Sequence, residues 1–242
     1  MKQFWLGFPL VLLVIQALYG EIREAELGGK TYRLEEVFYD DFKGDLTNWR
    51  VEGDAEVRLY GGFLEVNAIQ EVTKTDVGAS TIWCMKEFEG PQLVEYDVRL
   101  MGDTIFTNVN MFLMSSIPSG PGILETSSER SGQYRQYHAF PNYLVTIINQ
   151  NSILEKRQRL RIRMRLNPGF SLVEECWQEP MVIGKVHHVA YVIEPPEVAV
   201  FIDDQPVCRN LYETELERGL HGLRVYHTHS LYGNFRVSRI LK

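Results

Sequence analysis

Within residues 157–166 arginine stands at every second position, and from Arg159 onward an apolar side chain follows each arginine. The arginines of this alternating part are Arg159, Arg161, Arg163 and Arg165. In a β-strand successive side chains point to opposite faces, so these guanidiniums would share one face and the apolar side chains the other. Guanidinium groups bind carboxylates in a planar two-point geometry and remain charged across the pH range of proteins. The segment therefore predicts a strand whose arginine face binds an acidic oligo- or polysaccharide. The alternative is a solvated sheet face whose arginines pair with cross-strand acids.

A tyrosine and a histidine adjoin at Tyr137 and His138. Polysaccharide lyases need a base that removes the proton beside a carboxylate and a cation that neutralises this carboxylate. We expect Tyr137 or His138 to supply the base and Arg165 the cation. The two neighbours would alternate in a strand, so only one of them would face a groove. The favoured alternative is structural, with a sheet aromatic and a histidine that has its hydrogen bonds satisfied.

Further binding candidates lie in the second half of the chain. Trp177 falls in a long stretch without strand signals and is the aromatic side chain best placed to stack on a sugar. His221 and Arg224 fall near the closing strands, where grooves of sandwich proteins have their walls. The predicted saccharide-binding residues are Arg159, Arg161, Arg163, Trp177, His221 and Arg224.

Carboxylate pairs are not arranged as a glycosidase would need them. Retaining enzymes of the family-16 type place acids at alternate positions of one strand. Glu95 and Asp97 come nearest to this pattern but lack the third acid. The pattern argues against a family-16-type hydrolase, although carboxylates distant in sequence could still meet.

Metal-ligating patterns are weak. His227 and His229 would share a strand face but have no clear third ligand, which favours an exposed turn. Asp40, Asp41 and Asn234 would suit a structural calcium ion, although a capped loop or a solvated pair is favoured. We therefore predict no metal site and no cofactor, with structural calcium as the alternative.

Composition excludes several classes of protein. The 242 residues carry 32 acidic and 25 basic side chains, a net charge of −7, which is opposite to the balance of a nucleic-acid-binding protein. A hydrophobic content of 45% with 12% aromatics argues against a disordered chain. The three cysteines, Cys84, Cys176 and Cys208, allow at most one disulfide, and the sequence leaves the pairing open.

The first twenty residues have the layout of a secretory signal peptide. A short basic start precedes the apolar segment Phe4–Tyr19, and Gly20 separates it from a polar continuation. An uncleaved anchor is the alternative, but Gly7, Pro9 and Gln16 interrupt the apolar core. Beyond it no apolar run reaches the length of a membrane span. We expect residues 1–20 to be cleaved and residues 21–242 to form one domain that is secreted or periplasmic and not membrane-bound.

Short strands dominate the mature chain. Helical periodicity is nearly absent, and apolar or alternating runs recur between turn residues. The predicted strands are Thr31–Tyr39, Ala55–Tyr60, Phe63–Asn67, Ser80–Phe88, Gln92–Leu100, Asn108–Ser115, Leu144–Asn149, Gln158–Leu166, Lys185–Ile193, Glu197–Ile202, His221–Tyr226 and Tyr232–Ile240. The longest irregular stretches are Ile117–Gln136 and Asn167–Gly184, and loops of this length often border a binding site. The pattern is typical of a β-sandwich.

Several segments resemble concanavalin A-like jelly rolls. They are Asp41–Trp49, Gly62–Val66, Val198–Asp204, Gly222–Val225 and Asn234–Val237. Their order resembles the opening strands, the late hairpin and the closing strands of such domains. The resemblance implies an all-β, concanavalin A-like jelly-roll β-sandwich of two antiparallel sheets. It implies little about chemistry, since one fold carries many functions.

The middle of the chain resembles the YesU-like family of bacterial concanavalin-like proteins. The shared motifs are Ile82–Phe88, Gln136–His138, and Arg165 followed by Gly169 and Phe170. The resemblance spans roughly residues 38 to 237. It implies an association with the breakdown of pectin and other acidic polysaccharides, and it draws attention to Trp83, Tyr137, His138, Arg165 and Gly169.

The first interpretation is thus a secreted protein that binds an acidic, pectin-like uronate saccharide. If this protein is an enzyme, it would cleave the saccharide by β-elimination. The sequence leaves open whether the protein is an enzyme. A non-catalytic carbohydrate-binding module is the second reading. A glycosidase with unplaced carboxylates is the third, and a structural or protein-interaction sandwich is the fourth.

Overall fold

The computed structural model describes residues 22–69, 78–102, 106–151 and 155–242, and β-strands account for most of them. The proposed signal peptide, residues 1–20, lies outside the described residues. The strands are β1 (Ile22–Leu27), β2 (Lys30–Asp40), β3 (Trp49–Gly53), β4 (Glu56–Tyr60), β5 (Phe63–Asn67), β6 (Ala79–Cys84), β7 (Phe88–Glu89), β8 (Gln92–Met101), β9 (Thr107–Ser115), β10 (Asn142–Asn151), β11 (Gln158–Asn167), β12 (Ser171–Gln178), β13 (Val186–Glu194), β14 (Glu197–Ile202), β15 (Gln205–Leu211), β16 (Arg218–Tyr226) and β17 (His229–Leu241). Among the described residues, no helical segment has the length and hydropathy of a membrane span.

Two antiparallel sheets form the architecture. Sheet A has the order β1-β2-β17-β8-β13-β14-β15, with β5 pairing to β17 and β4 to β5. Sheet B has the order β12-β11-β10-β9-β16-β6-β3, with β7 pairing to β16. The main core lies between them, where Val94 and Tyr96 of sheet A belong to the same buried cluster as Val145 and Ile162 of sheet B. The predicted all-β sandwich of two antiparallel sheets is confirmed.

Strand β11 shows how the sequence positions the arginine face. Leu160, Ile162 and Met164 are buried in the main core, because they point towards sheet A. The intervening arginines therefore project from the opposite face of sheet B, which we call the outer face. The alternation expected from residues 157–166 is present over the full strand.

A long crossing segment, residues 116–141, covers part of the outer face. Its Ile123, Tyr137 and Phe140 form a second buried cluster with Trp83 and Phe112 of sheet B. This cluster removes apolar surface of both partners from water, which is the main stabilisation available to a segment without strands. The part of the outer face that remains uncovered adjoins β11.

The prediction that Asn167–Gly184 is irregular is wrong, because this segment contains strand β12. Strand β12 is the edge of sheet B and pairs only with β11 among the described strands. Its side chains are half-buried or exposed, so its sequence lacks the apolar alternation of an inner strand. The strands predicted from the sequence also omit β1, β3 and β15. The other irregular stretch, Ile117–Gln136, holds no strand and includes a 3-10 turn at Ser127–Glu129.

A disulfide joins the two sheets. Cys176 on β12 bonds to Cys208 on β15, and 32 positions separate them in sequence. Cys84 is free and buried. The disulfide links the edge strand of sheet B to the edge strand of sheet A.

Candidate functional site

A cavity of about 330 Å³ lies between the outer face of sheet B and the crossing segment. Its floor includes one cross-strand row of polar side chains. Arg163 on β11 pairs in register with Thr146 on β10, which pairs with Asn110 on β9, which pairs with Arg224 on β16. Because neighbours in register project to the same side of a sheet, the row places two arginines and two neutral polar groups on one surface. Each of these four residues lines the cavity.

Arg224 is a buried charge at one end of this row. The residue is 2% exposed, and its Nε and Nη1 atoms have no hydrogen-bond partner. Its guanidinium carbon lies 4.7 Å from the centre of the Tyr134 ring and 5.6 Å from that of Tyr137. Burial lowers the pKa of Arg224, but a guanidinium keeps its proton in proteins. Arg224 is therefore a cation held in a poorly solvated position.

Arg165 is a second such charge, contributed by β11. It is 7% exposed, its Nε atom has no partner, and its guanidinium carbon lies 4.4 Å from the centre of the Phe170 ring. Burial lowers the pKa of Arg165, and the neighbouring charges of Arg163 and Arg161 lower it further. The rings of Phe170 and Tyr134 pack edge to face with centres 5.1 Å apart. One aromatic pair thus carries both unneutralised guanidiniums, one on each ring.

No acidic side chain is among the described residues that line the cavity. Among the ion pairs of the described residues, none involves Arg165 or Arg224. Burying an ion without a counterion costs several kcal/mol, and an aromatic face compensates only part of this. The arrangement suits a ligand that brings a negative charge.

Neutral acceptors accompany the two cations. Asn108 Oδ1, Asn110 Oδ1 and Thr146 Oγ1 are buried without a hydrogen-bond partner, and all three residues line the cavity. Buried polar atoms in native proteins are rarely unpaired, so such a group is a sign of a missing partner. Hydroxyl groups are suitable partners, because they donate to amide and hydroxyl oxygens.

The remaining arginines of β11 have partners. Nε of Arg161 and Nε of Arg163 donate to the same Glu175 oxygen, at 2.9 and 3.1 Å. Arg159 donates to the backbone carbonyl of Gln178 at 2.8 Å and also to Glu155. The expected alternative of pairing with cross-strand acids therefore holds for Arg161 and Arg163. Arg159 instead pairs with Glu155, four positions earlier in the chain, and Arg165 has no acidic partner among the described residues. Arg163 and Arg165 line the cavity, whereas Arg159 and Arg161 do not.

Tyr137 and His138 do not alternate in a strand, so that prediction is wrong. Tyr137 ends the 3-10 turn Tyr134–Tyr137, and His138 is its C-terminal cap, because this segment crosses the sheet instead of joining it. Tyr137 is fully buried and donates from its hydroxyl to Glu52 Oε2 at 2.9 Å. Burial, reinforced by the charge of Glu52, raises the pKa of Tyr137. This environment disfavours the phenolate that a base would need.

His138 packs its ring on Phe170, with centres 3.9 Å apart, and its Nε2 atom is buried without a partner. Burial lowers the pKa of His138, and the charges of Arg224 and Arg165 lower it further, so the ring is neutral near pH 7. Neither His138 nor Tyr137 lines the cavity. Their role as a catalytic base remains a prediction that the geometry does not favour.

Two other expected positions need correction. Trp177 lies in strand β12 instead of a loop, and its indole donates to Glu175 Oε1 at 3.2 Å. Its ring carries the guanidinium of Arg161, with the carbon 5.1 Å from the ring centre. His221 does not face the cavity, because it stands three positions from Arg224 on the same strand and projects to the opposite side. It is fully buried and hydrogen-bonds Gln92 at 2.7 Å, and burial lowers its pKa to about 3.

Sequence reasoning missed the neutral half of the site. Asn108 and Asn110 alternate with Val109 and Met111 in β9, a strand whose residues are almost all buried. Strands buried on both faces normally have continuous apolar sequences. Amides at alternate positions of such a strand therefore indicate a polar site on one of its faces. Tyr134 gave no comparable signal, since its position depends on how the crossing segment folds over the sheet.

The metal candidates have other partners. Asp40 accepts hydrogen bonds from the Phe42 amide and the Trp49 indole, both at 2.8 Å, which is the capped loop favoured from the sequence. Asn234 bonds Tyr39 and Asp97. Across the described ranges, no group of three or more His, Cys, Asp or Glu side chains is arranged to hold a metal ion.

The strand order of the two sheets and the solved structures that resemble the chain define the fold class as a galectin-like, concanavalin-like jelly roll. The chain belongs to the family described as Domain of unknown function (DUF6250), which matches residues 74–235. A search of curated proteins found no match. Membership of the YesU-like family and an association with acidic polysaccharides remain predictions.

Solved structures with low sequence identity share the fold. A protein of unknown function with a galectin-like fold from Bacillus subtilis has a TM-score of 0.71 and 17% identity, covering 92% of this chain and 100% of that one. The carbohydrate-binding module CBM66 from Bacillus subtilis has a TM-score of 0.53 and 13% identity, covering 80% and 96%. The endo-β-1,3-glucanase from Pyrococcus furiosus has a TM-score of 0.57 and 13% identity, covering 90% and 98%. At these identities the likeness shows the fold alone.

Proposed function

We propose that the protein binds an acidic saccharide in the cavity, with a uronate carboxylate against Arg165 and Arg224. The observation that carries this proposal is the guanidinium of Arg224, which is buried and has two nitrogen atoms without a partner. A carboxylate is the planar anion that matches a guanidinium in a two-point geometry. Binding would neutralise a buried charge that the fold leaves without a counterion at the cavity.

Features beyond charge support a sugar over a simple inorganic anion. Asn108, Asn110 and Thr146 offer unpartnered oxygen atoms that ring hydroxyls would satisfy. Tyr226 and Phe170 line the same cavity and provide apolar faces on which sugar C–H groups pack. Carbohydrate-binding and glucanase domains use the same fold, which makes a saccharide ligand a natural expectation.

The geometry favours binding over glycoside hydrolysis. Hydrolysis by the common mechanism requires two carboxyl groups on either side of the scissile bond. The described lining contains arginine, amide, hydroxyl and aromatic groups but no acid. A retaining or inverting glycosidase in this cavity would therefore lack its reacting groups.

The β-elimination version also has weak support. Tyr134 is the tyrosine that contacts both the cavity and Arg224, and burial raises the pKa of Tyr134 although the arginines oppose this shift. Incubation with polygalacturonate, rhamnogalacturonan and alginate fragments tests this version, because elimination creates an unsaturated product that absorbs in the ultraviolet. We expect binding without such absorbance. A rising absorbance that Tyr134→Phe abolishes would establish a lyase instead.

Calorimetric titration with uronate oligosaccharides tests the binding proposal. Arg224→Gln and Arg165→Gln should each weaken binding at least about tenfold, because a charge-assisted hydrogen bond contributes roughly 1.5–3 kcal/mol. Arg157→Gln is the matched control, since Arg157 is exposed, pairs with Glu179 and lies outside the cavity. Unchanged affinity in the two cavity variants, with all variants folded, would reject the proposal.

The place of action remains a proposal as well. The layout of residues 1–20 and the Cys176–Cys208 disulfide both support an oxidising, extracytoplasmic compartment. Mass spectrometry of the protein recovered from the periplasm or medium of a bacterial host should give a chain that starts after Gly20. Recovery of the full-length chain in the cytoplasm alone would overturn this assignment.

A further inference from the structure

We propose that Glu175 limits the site to one ring carboxylate, so that the preferred saccharides carry isolated uronates between neutral sugars. This inference rests on the proposed function and names the class of acidic saccharide that the site selects. It assigns to Glu175 the role of a specificity-determining residue.

Glu175 occupies the position that a second ligand carboxylate would take. It pairs in register with Arg163 on the outer face, and one of its oxygens accepts from both Arg161 and Arg163. Its other oxygen accepts from the Trp177 indole at 3.2 Å. Burial alone would raise the pKa of Glu175, but the hydrogen bonds from Arg161 and Arg163 lower it, so the carboxylate stays ionised. The protein thus holds its own anion in a clamp of two arginines.

This clamp adjoins the cavity through Arg163. Arg163 lines the cavity and belongs to the Glu175 cluster, while Arg165 stands at the next position of the same face, about 6.6–7 Å further along the strand. A carboxylate at Arg165 meets no competing acid among the described lining residues. A second carboxylate at Arg163 would share this guanidinium with Glu175 and lie close to its negative charge, and like charges close together are unfavourable.

Arg159, further along the same strand, is also occupied. It donates to Gln178 and Glu155, so it offers no open site for another uronate. The floor next to Arg224 offers the neutral acceptors Asn110 and Thr146. Neutral hydroxyl-bearing rings can donate to Asn110 Oδ1 and Thr146 Oγ1, whereas a second carboxylate has no proton to donate and would leave the Asn110 oxygen unpaired. The surroundings of the inner cations therefore suit neutral sugars on either side of one uronate.

The test compares two probes of equal length in calorimetric titrations. One is a galacturonate oligosaccharide with a carboxylate on every ring, and the other alternates galacturonate with rhamnose. The wild type should bind the alternating probe at least about tenfold more tightly, which corresponds to 1.4 kcal/mol. Glu175→Gln should reduce this ratio to about threefold or less by strengthening the fully charged probe, because it removes the competing anion but keeps the side-chain shape.

Glu179→Gln is the matched control. Glu179 pairs with Arg157 and lies outside the cavity, so its substitution should leave the ratio of the two affinities unchanged. Thermal unfolding of each variant shows that it is folded. A wild type that binds the fully charged probe as tightly as the alternating one would overturn the inference, and so would a ratio that Glu175→Gln does not change. Absence of binding for both probes would instead contradict the proposed function itself.

Discussion

The guanidinium carbon of Arg224 lies 4.7 Å from the centre of the Tyr134 ring, and two nitrogen atoms of the same group have no hydrogen-bond partner. The ring offers a favourable electrostatic surface but does not replace the lost hydration. The protein therefore retains a buried charge that lowers the stability of its folded state. Such a compromise between stability and function is common where a protein meets its ligand.

Removing this charge should stabilise the protein. Arg224→Met keeps most of the side-chain volume and eliminates the unpaired cation, so we expect the free energy of unfolding to rise by about 1–3 kcal/mol while uronate binding is lost. Denaturant unfolding and titration of the same sample measure both effects. Arg130→Met is the control, because Arg130 is buried in an ion pair with Glu52.

The free energy of unfolding of this control should change in the opposite direction and fall by about 3–5 kcal/mol, since the variant leaves the Glu52 carboxylate buried without its cation. If Arg224→Met destabilises the protein as strongly as Arg130→Met does, then Arg224 is a structural residue with compensation that the unpaired atoms do not reveal.

Gly222 should be essential for packing on the outer face. It lies in register with Trp83, and a Cβ atom at this position would come within 2.5 Å of the indole Cε3. Gly222→Ala should therefore cost about 1–3 kcal/mol of stability through overpacking, as measured by denaturant unfolding. Gly44→Ala serves as the comparison, because a Cβ there meets nothing within 4 Å. Equal stability of the two variants would contradict the packing seen around Trp83.

His221 should make the protein sensitive to mild acid. Burial lowers its pKa to about 3 from an ordinary value of 6.5, so the folded state holds the ring neutral while the unfolded state binds a proton. This contribution to stability is fully present above pH 6.5 and declines as the pH falls towards 3.

Between pH 7 and pH 5 the wild type should lose about 2 kcal/mol more than His221→Gln, since each pH unit of unequal protonation contributes 1.36 kcal/mol. Urea unfolding at the two pH values measures the difference. Parallel loss in the wild type and the variant would show that other groups dominate the acid response.

The Cys176–Cys208 disulfide should contribute measurably to stability. It closes a long loop between the edge strands of the two sheets, and removing such a cross-link typically costs about 2–4 kcal/mol. Adding a reductant during denaturant unfolding should lower the wild-type midpoint accordingly. The double variant Cys176→Ser with Cys208→Ser should show no further response to reductant. A wild-type midpoint that does not change on reduction would exclude a stabilising disulfide.

The parts of the fold that follow a local rule were predictable. The alternation in β11 identified both its buried face and its arginine face, because a strand with one face in the core has a period of two. The same rule would have excluded His221 from the cavity, since an odd separation from Arg224 puts the two side chains on opposite faces.

The composition of the site was less predictable, because it depends on tertiary register. Glu175 pairs with Arg161 and Arg163 and so leaves Arg165 without an acidic partner. Glu175 belongs to an edge strand of half-buried and exposed residues, and such a strand lacks the apolar alternation that predicts a strand from sequence. Tyr137 was misplaced for a related reason, since the segment that carries it folds across the sheet and pairs with Glu52. Such contacts join residues far apart in sequence and follow no local periodicity.

The most direct test of the account is one pair of titrations on the wild-type protein. An acidic oligosaccharide that binds is compared with its carboxyl-reduced form, which has the same rings and linkages but a neutral hydroxymethyl group in place of each carboxylate. We predict that reduction weakens binding at least about tenfold and removes most of its salt dependence, because the ligand charge then no longer meets Arg165 and Arg224. Equal affinity of the acidic and reduced forms would contradict a carboxylate site in this cavity.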